Sequence, residues 1–144
     1  MTIKALMQEL EALASATLTD YEIFSGTKQY YESLNKTVPE KIIVIEPPVR
    51  FPINNRVYCE RLVDITIYLG RKVQINDVAN SLYSEEYLFD TLLTDVISFI
   101  NSFEDSTKLQ VTENAEAEMF DPDKGESVNN YAYLRTILKL KISG

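Results

Sequence analysis

The chain has 144 residues, with 22 acidic against 14 basic side chains, no histidine and one cysteine, for a net charge of −8. Such a length suits one domain burying roughly two-thirds of its unfolded surface, and 45% apolar with 25% charged residues is ordinary for a globular protein. The negative balance argues against tight general binding to DNA or anionic membranes, and the lack of histidine removes the commonest general base and metal ligand.

Thr2 can cap a helix running to about Ala16, with Ile3, Leu6, Met7, Leu10, Leu13 and Ala14 on one face. Leu6, Leu10 and Leu13 form a row that must dock, either on the chain's own sheet or on a neighbouring subunit. Lys4, Gln8, Glu9 and Glu11 interrupt the apolar residues of Met1–Leu13, so this stretch reads as neither signal peptide nor membrane span. Tyr21–Phe24 is a short strand ended by Ser25-Gly26, and Thr27–Leu34 a short helix or turn exposing part of Tyr30 and Tyr31. Pro39 precedes the run Ile42-Ile43-Val44-Ile45, whose lack of alternation predicts a strand covered on both faces. Pro47-Pro48 and Pro52 forbid regular pairing, so about 46–56 is read as an extended arm that includes Phe51.

A long strand follows. In Tyr58–Leu69, Cys59, Val63, Ile65, Ile67 and Leu69 alternate with Asp64, Thr66 and Tyr68, the pattern of a half-buried strand. Cys59 falls on the apolar face, which predicts a buried, inert thiol in a reducing cytoplasm. Gly70–Ser81 reads as a connection. From Ser84, a candidate N-cap followed by Glu85 and Glu86, the period changes to that of a helix. Leu88, Phe89, Leu92, Leu93, Val96, Ile97, Ile100 and Phe103 form its stripe. Lys108–Met119 alternates again, and the small Ala115 and Ala117 would let a helix lie close. Asp121–Asn130, with Pro122 and Gly125, is a polar hairpin loop. The last strand, Tyr131–Ile142, sets Leu134, Leu138, Leu140 and Ile142 against Arg135, Lys139 and Lys141. The expected architecture is a single α+β domain: a mainly antiparallel sheet packed against an N-terminal helix and one long central helix.

No nucleophile elbow, phosphate-cradling glycine loop or CxxC occurs in the sequence. The acidic residues Glu113, Glu116, Glu118, Asp121, Asp123 and Glu126 are the nearest thing to a metal site, with Glu116 and Glu118 on one face of a strand. Asp121-Pro122-Asp123-Lys124-Gly125 has part of a calcium-loop spacing, but its glycine comes one residue early and no carboxylate closes the loop. A solvated acidic face is the better reading, so no metal, cofactor or catalytic residue is assigned. Tyr30, Tyr31, Tyr83 and Tyr87 are candidate interface anchors or ordinary half-buried tyrosines.

The order of elements, from the N-terminal helix through the proline-led strand Pro39–Ile45, resembles the tail-terminator and neck proteins of long-tailed bacteriophages. A long strand running into a helix follows (Leu62–Leu69, then Ser84–Phe103), and last a hairpin (Ala115–Met119, Tyr133–Ile142) with an acidic, polar loop. The resemblance covers most of the chain in patterning and rests on no sequence motif. It implies a non-enzymatic subunit of a homo-oligomeric ring, six- or twelve-fold, joining capsid to tail beside portal, tail-tube or other neck proteins. It implies assembly in the host cytoplasm, residence at the head–tail junction of the virion, and a bore through which DNA passes without specific binding. Candidate subunit contacts are Leu6, Leu10, Leu13, Tyr30, Tyr31, Pro47, Pro48 and Phe51. Candidate channel-facing acids are Glu116, Glu118, Asp121, Asp123 and Glu126. The alternative is a cellular protein-interaction or assembly module with no catalytic activity.

Overall fold

The computed structural model describes residues 1–34, 39–51, 61–72, 82–112, 115–120 and 131–143. Cys59, Asn54-Asn55, Asp121, Asp123, Glu126 and the rest of the hairpin loop lie outside the described residues. The elements are helix α1 (Ile3–Thr17), strand β1 (Glu22–Ser25), helix α2 (Lys28–Ser33), strand β2 (Lys41–Glu46) and strand β3 (Arg61–Lys72). Helix α3 (Leu82–Asn101) follows, running into a 3-10 turn (Ser102–Asp105), then strands β4 (Leu109–Val111), β5 (Ala117–Phe120) and β6 (Tyr131–Ile142).

Local chemistry sets several of these ends. The Thr2 hydroxyl accepts from the Ala5 N–H at 3.1 Å, and the Thr27 hydroxyl accepts from the Tyr30 N–H at 3.1 Å, each satisfying an orphan donor at a helix start. β1 stops at Gly26, whose φ of +156° leaves no room for a side chain against the Phe24 ring. α3 begins at Leu82, so Ser84 lies in its first turn and is not its cap.

Among the described residues the strands form one sheet in the order β1-β2-β3-β6-β4, with β5 also on β6. β1 pairs with β2 in parallel; every other pairing is antiparallel, so the α+β assignment holds. β3 and β6 form the spine, paired along their full twelve residues from Arg61↔Ile142 to Lys72↔Tyr131. β3 therefore continues through Gly70, Arg71 and Lys72, where the sequence suggested a connection, because Ile42 and Tyr133 pair with Gly70 on either side.

The alternation in β3 and β6 is realised as read. Val63, Ile65, Ile67 and Leu69 are buried on one face with Leu134, Leu138, Leu140 and Ile142. α1 lies over β1 and β2, and α3 over β3 and β6, both on this face. β2 is covered on both sides, with Ile42, Ile43, Val44 and Ile45 fully buried. Lys108–Met119 is not one strand. The pairing moves from Val111↔Leu140 to Ala117↔Thr136, a slip of two residues that keeps side-chain parity and breaks the edge into β4 and β5. Thr136, buried at this slip, donates from its hydroxyl to the Glu116 carbonyl at 2.9 Å. Ala115 packs against the core, while Ala117 is exposed.

Candidate interaction surface

The second face of the sheet is divided. One half carries a compact aromatic cluster under α2: Tyr31, Ile42, Val44, Tyr131 and Tyr133 are buried, with Phe24 and Tyr68 beside them. Lys28 reaches over it, its Nζ 4.9 Å from the Tyr133 ring centre, 5.6 Å from that of Tyr68 and 3.6 Å from the Glu32 carboxylate. The Tyr131 hydroxyl donates to the Pro39 carbonyl, which ties β6 to the residues entering β2. Tyr31, expected to be partly exposed, belongs to this cluster, whereas Tyr30 next to it points to solvent.

Burial pushes the phenols of Tyr133, Tyr131 and Tyr21 well above the ordinary value near 10. The Glu32 carboxylate adds to the effect at Tyr133, the neighbouring Tyr31 phenol at Tyr131, and the 2.6 Å hydrogen bond to Asp95 at Tyr21. A raised pKa means the folded chain keeps protons that the unfolded chain releases above about pH 10. Stability is therefore fully present below that pH and is lost as pH rises through and beyond it. Thermal melts should show a melting temperature that falls steeply above about pH 10. A level melting temperature there would place these phenols in water.

The other half of the second face is open. Leu62 on β3 is 57% exposed and Ile137 on β6 51%; Leu62 lies beyond the last β2–β3 pair, Glu46↔Thr66, and Ile137 level with it. The chain leaving β2 curls past them: Pro47, Val49, Arg50 and Phe51 form one wall of a groove of about 600 Å³, and Asp64 and Lys139 lie on its floor. Val49 is fully exposed, whereas Phe51 is half-buried and also touches the main core. Among the residues expected at an interface, Pro47 and Phe51 thus border an open surface. Leu6 and Leu10 do not. Both are fully buried and Leu13 packs beside them, so the α1 row is used inside the subunit and is corrected as a contact surface.

The acidic hairpin is represented by its described part. Glu116 and Glu118 are exposed, and Glu118 accepts from Arg135 at 2.8 Å, which holds the guanidinium pKa above its usual value. Among the described residues no three metal-ligating side chains come together, and no helix is long and apolar enough to cross a membrane.

A second open surface lies on α3. Its buried seam is Phe89, Leu92, Val96 and Phe99, continued by Phe103 in the 3-10 turn, and includes Phe99, which the predicted stripe omitted. Leu93 (41% exposed) and Ile97 (48% exposed) sit on one flank of that seam, while Asp95 sits on the other, held by Tyr21. The side chains of Tyr83, Tyr87 and Leu88 lie outside the described residues. Leu62 and Ile137 did carry a sequence signal: each is an apolar residue at a position whose strand parity is otherwise polar.

Compared by sequence with models of protein families and with curated proteins, the chain matches none.

Proposed function

We propose that this chain is a non-catalytic structural subunit that assembles with copies of itself into a ring, and that the ring is part of a bacteriophage head–tail connection. The observation that carries the assembly reading is the pair of exposed apolar surfaces, Leu62 with Ile137 on the open sheet and Leu93 with Ile97 on α3. Large aliphatic side chains left bare on the sheet and along a central helix mark surfaces that a partner covers. Two different surfaces on one subunit are what head-to-tail closure requires. The order of elements supports the phage assignment: a docked N-terminal helix, a proline-led apolar strand, a long strand before the central helix, and a final hairpin. The excess of carboxylates fits a bore that passes DNA without holding phosphates.

Native mass measurement tests the reading. A six- or twelve-fold species is expected at micromolar protein. A monomer at every concentration would overturn the ring and leave the alternative of an interaction module whose open surfaces take a different protein.

A further inference from the structure

The half of the second sheet face that α2 covers carries chemistry that assembly does not use. Glu32, one turn after Lys28 on α2, stands beside Tyr133 with its side chain only 8% exposed. A carboxylate taken that far out of water needs a cation or several donors to offset its lost hydration. Its Oε2 lies 3.6 Å from the Lys28 ammonium. Among the described residues its Oε1 is buried without a hydrogen-bond partner, and so is the Tyr133 hydroxyl.

Aromatic faces enclose the same ammonium from other sides. Lys28 Nζ stands 4.9 Å from the Tyr133 ring centre and 5.6 Å from that of Tyr68, where a ring quadrupole attracts a cation. The two rings meet edge to face at 78° with centroids 5.8 Å apart, so they make two walls of one corner. Glu46 adds a second carboxylate nearby, accepting the Lys28 backbone N–H at 2.9 Å. Only 17% of the Lys28 side chain remains exposed.

An ordinary lysine–glutamate pair one turn apart lies in water and contributes little. This pair is mostly buried, and two rings bracket its cation. An anion placed here would meet two carboxylates and the negative faces of two rings. A neutral group would leave the Glu32 charge buried and unmatched. Two ring faces with a buried carboxylate suit an organic ammonium.

We propose that Tyr68, Tyr133 and Glu32 form a binding site for a primary alkylammonium group, filled in this subunit by the chain's own Lys28. The lysine acts as a tethered ligand, and its ammonium helps to hold α2, a helix of six residues, against the sheet. The site lies apart from Leu62 and Ile137, so it stands or falls independently of the ring.

Two variants of the full chain test it. Lys28→Met keeps most of the stem and loses the charge, and its melting temperature should fall by about 3–6 °C. Lys28→Ala empties the site from Cγ to Nζ, which n-propylammonium matches atom for atom. Titrated with that ion, Lys28→Ala should regain melting temperature in a saturable way, with half the effect at about 10–100 mM. Sodium chloride at equal ionic strength and n-propanol at equal concentration should not restore it. Adding Glu32→Gln to Lys28→Ala should abolish the rescue. If Lys28→Met melts with the parent, the ammonium is not what the site holds and the proposal is overturned. It is equally overturned if n-propanol rescues as well as n-propylammonium, or if the ion raises parent and variant alike. Lys28→Met decides by itself where Lys28→Ala does not fold.

Discussion

Replacing Ile67 with alanine should remove about 2–5 kcal/mol of folding stability. Ile67 is fully buried, flanked by Ile45 on β2 and Thr136 on β6, and belongs to the core beneath α1 and α3. Alanine forfeits the transfer energy of three carbon atoms and leaves a void that paired strands on both sides cannot collapse to fill. Leu62→Ala, five residues away on the same strand and largely exposed, should stay within about 0.5 kcal/mol. Urea denaturation of the two variants side by side makes the contrast. A loss below about half a kcal/mol for Ile67→Ala would mean that the strand turns its other face to the core.

The contrast also explains how far the fold can be read from residues alone. Parity is exacting in a strand: Val63, Ile65, Ile67 and Leu69 must share a face, and a one-residue error would expose all four. β3 and β6 were legible for that reason. A helix is less strict, since its apolar arc is wider than the seam it finally buries. Leu93 and Ile97 belong to the same arc as Leu92 and Val96, but α3 is rotated so that Phe99 fills the seam and they do not. Periodicity could locate the helix but not its rotation, which packing against β3 and β6 decides.

The aromatic cluster was hidden for a different reason. Nothing local distinguishes Tyr31 from Tyr30; only the approach of α2 to the second sheet face buries one and exposes the other. The break between β4 and β5 was masked because a slip of two residues leaves parity unchanged, so the alternation resumes in phase after it; Glu113, a charged residue on the apolar parity, is its one trace in the sequence. The groove escaped because polar-parity positions are read as solvent-facing. Leu62 and Ile137 do face solvent in the single subunit, and the apolar character they retain there is the observation that points to a neighbour.

Gly70→Ala should destabilise the chain by about 1–3 kcal/mol, the reverse of what a glycine replacement in a strand usually does. At an unstrained position the change stiffens the unfolded chain and gains about 0.4–1 kcal/mol. Gly70 has ordinary strand pairing, with Ile42 on one side and Tyr133 on the other, so the backbone would tolerate alanine. Space would not. A Cβ placed there would stand 2.6 Å from the Tyr133 ring and 2.9 Å from the Ile42 side chain. Neither can retreat: Tyr133 is held against Tyr131 and Tyr68 with Lys28 over its face, and Ile42 is fully buried in the same cluster. The ring lies where the glycine lacks a side chain, and this lets a glycine persist within a twelve-residue strand. Shortening the ring should relieve the clash, so Gly70→Ala made on a Tyr133→Leu background should cost clearly less than on the parent, a coupling that a double-mutant cycle reads directly. If Gly70→Ala melts at or above the parent temperature, the close approach of Tyr133 to β3 is wrong, and with it the reason β3 runs unbroken to Lys72.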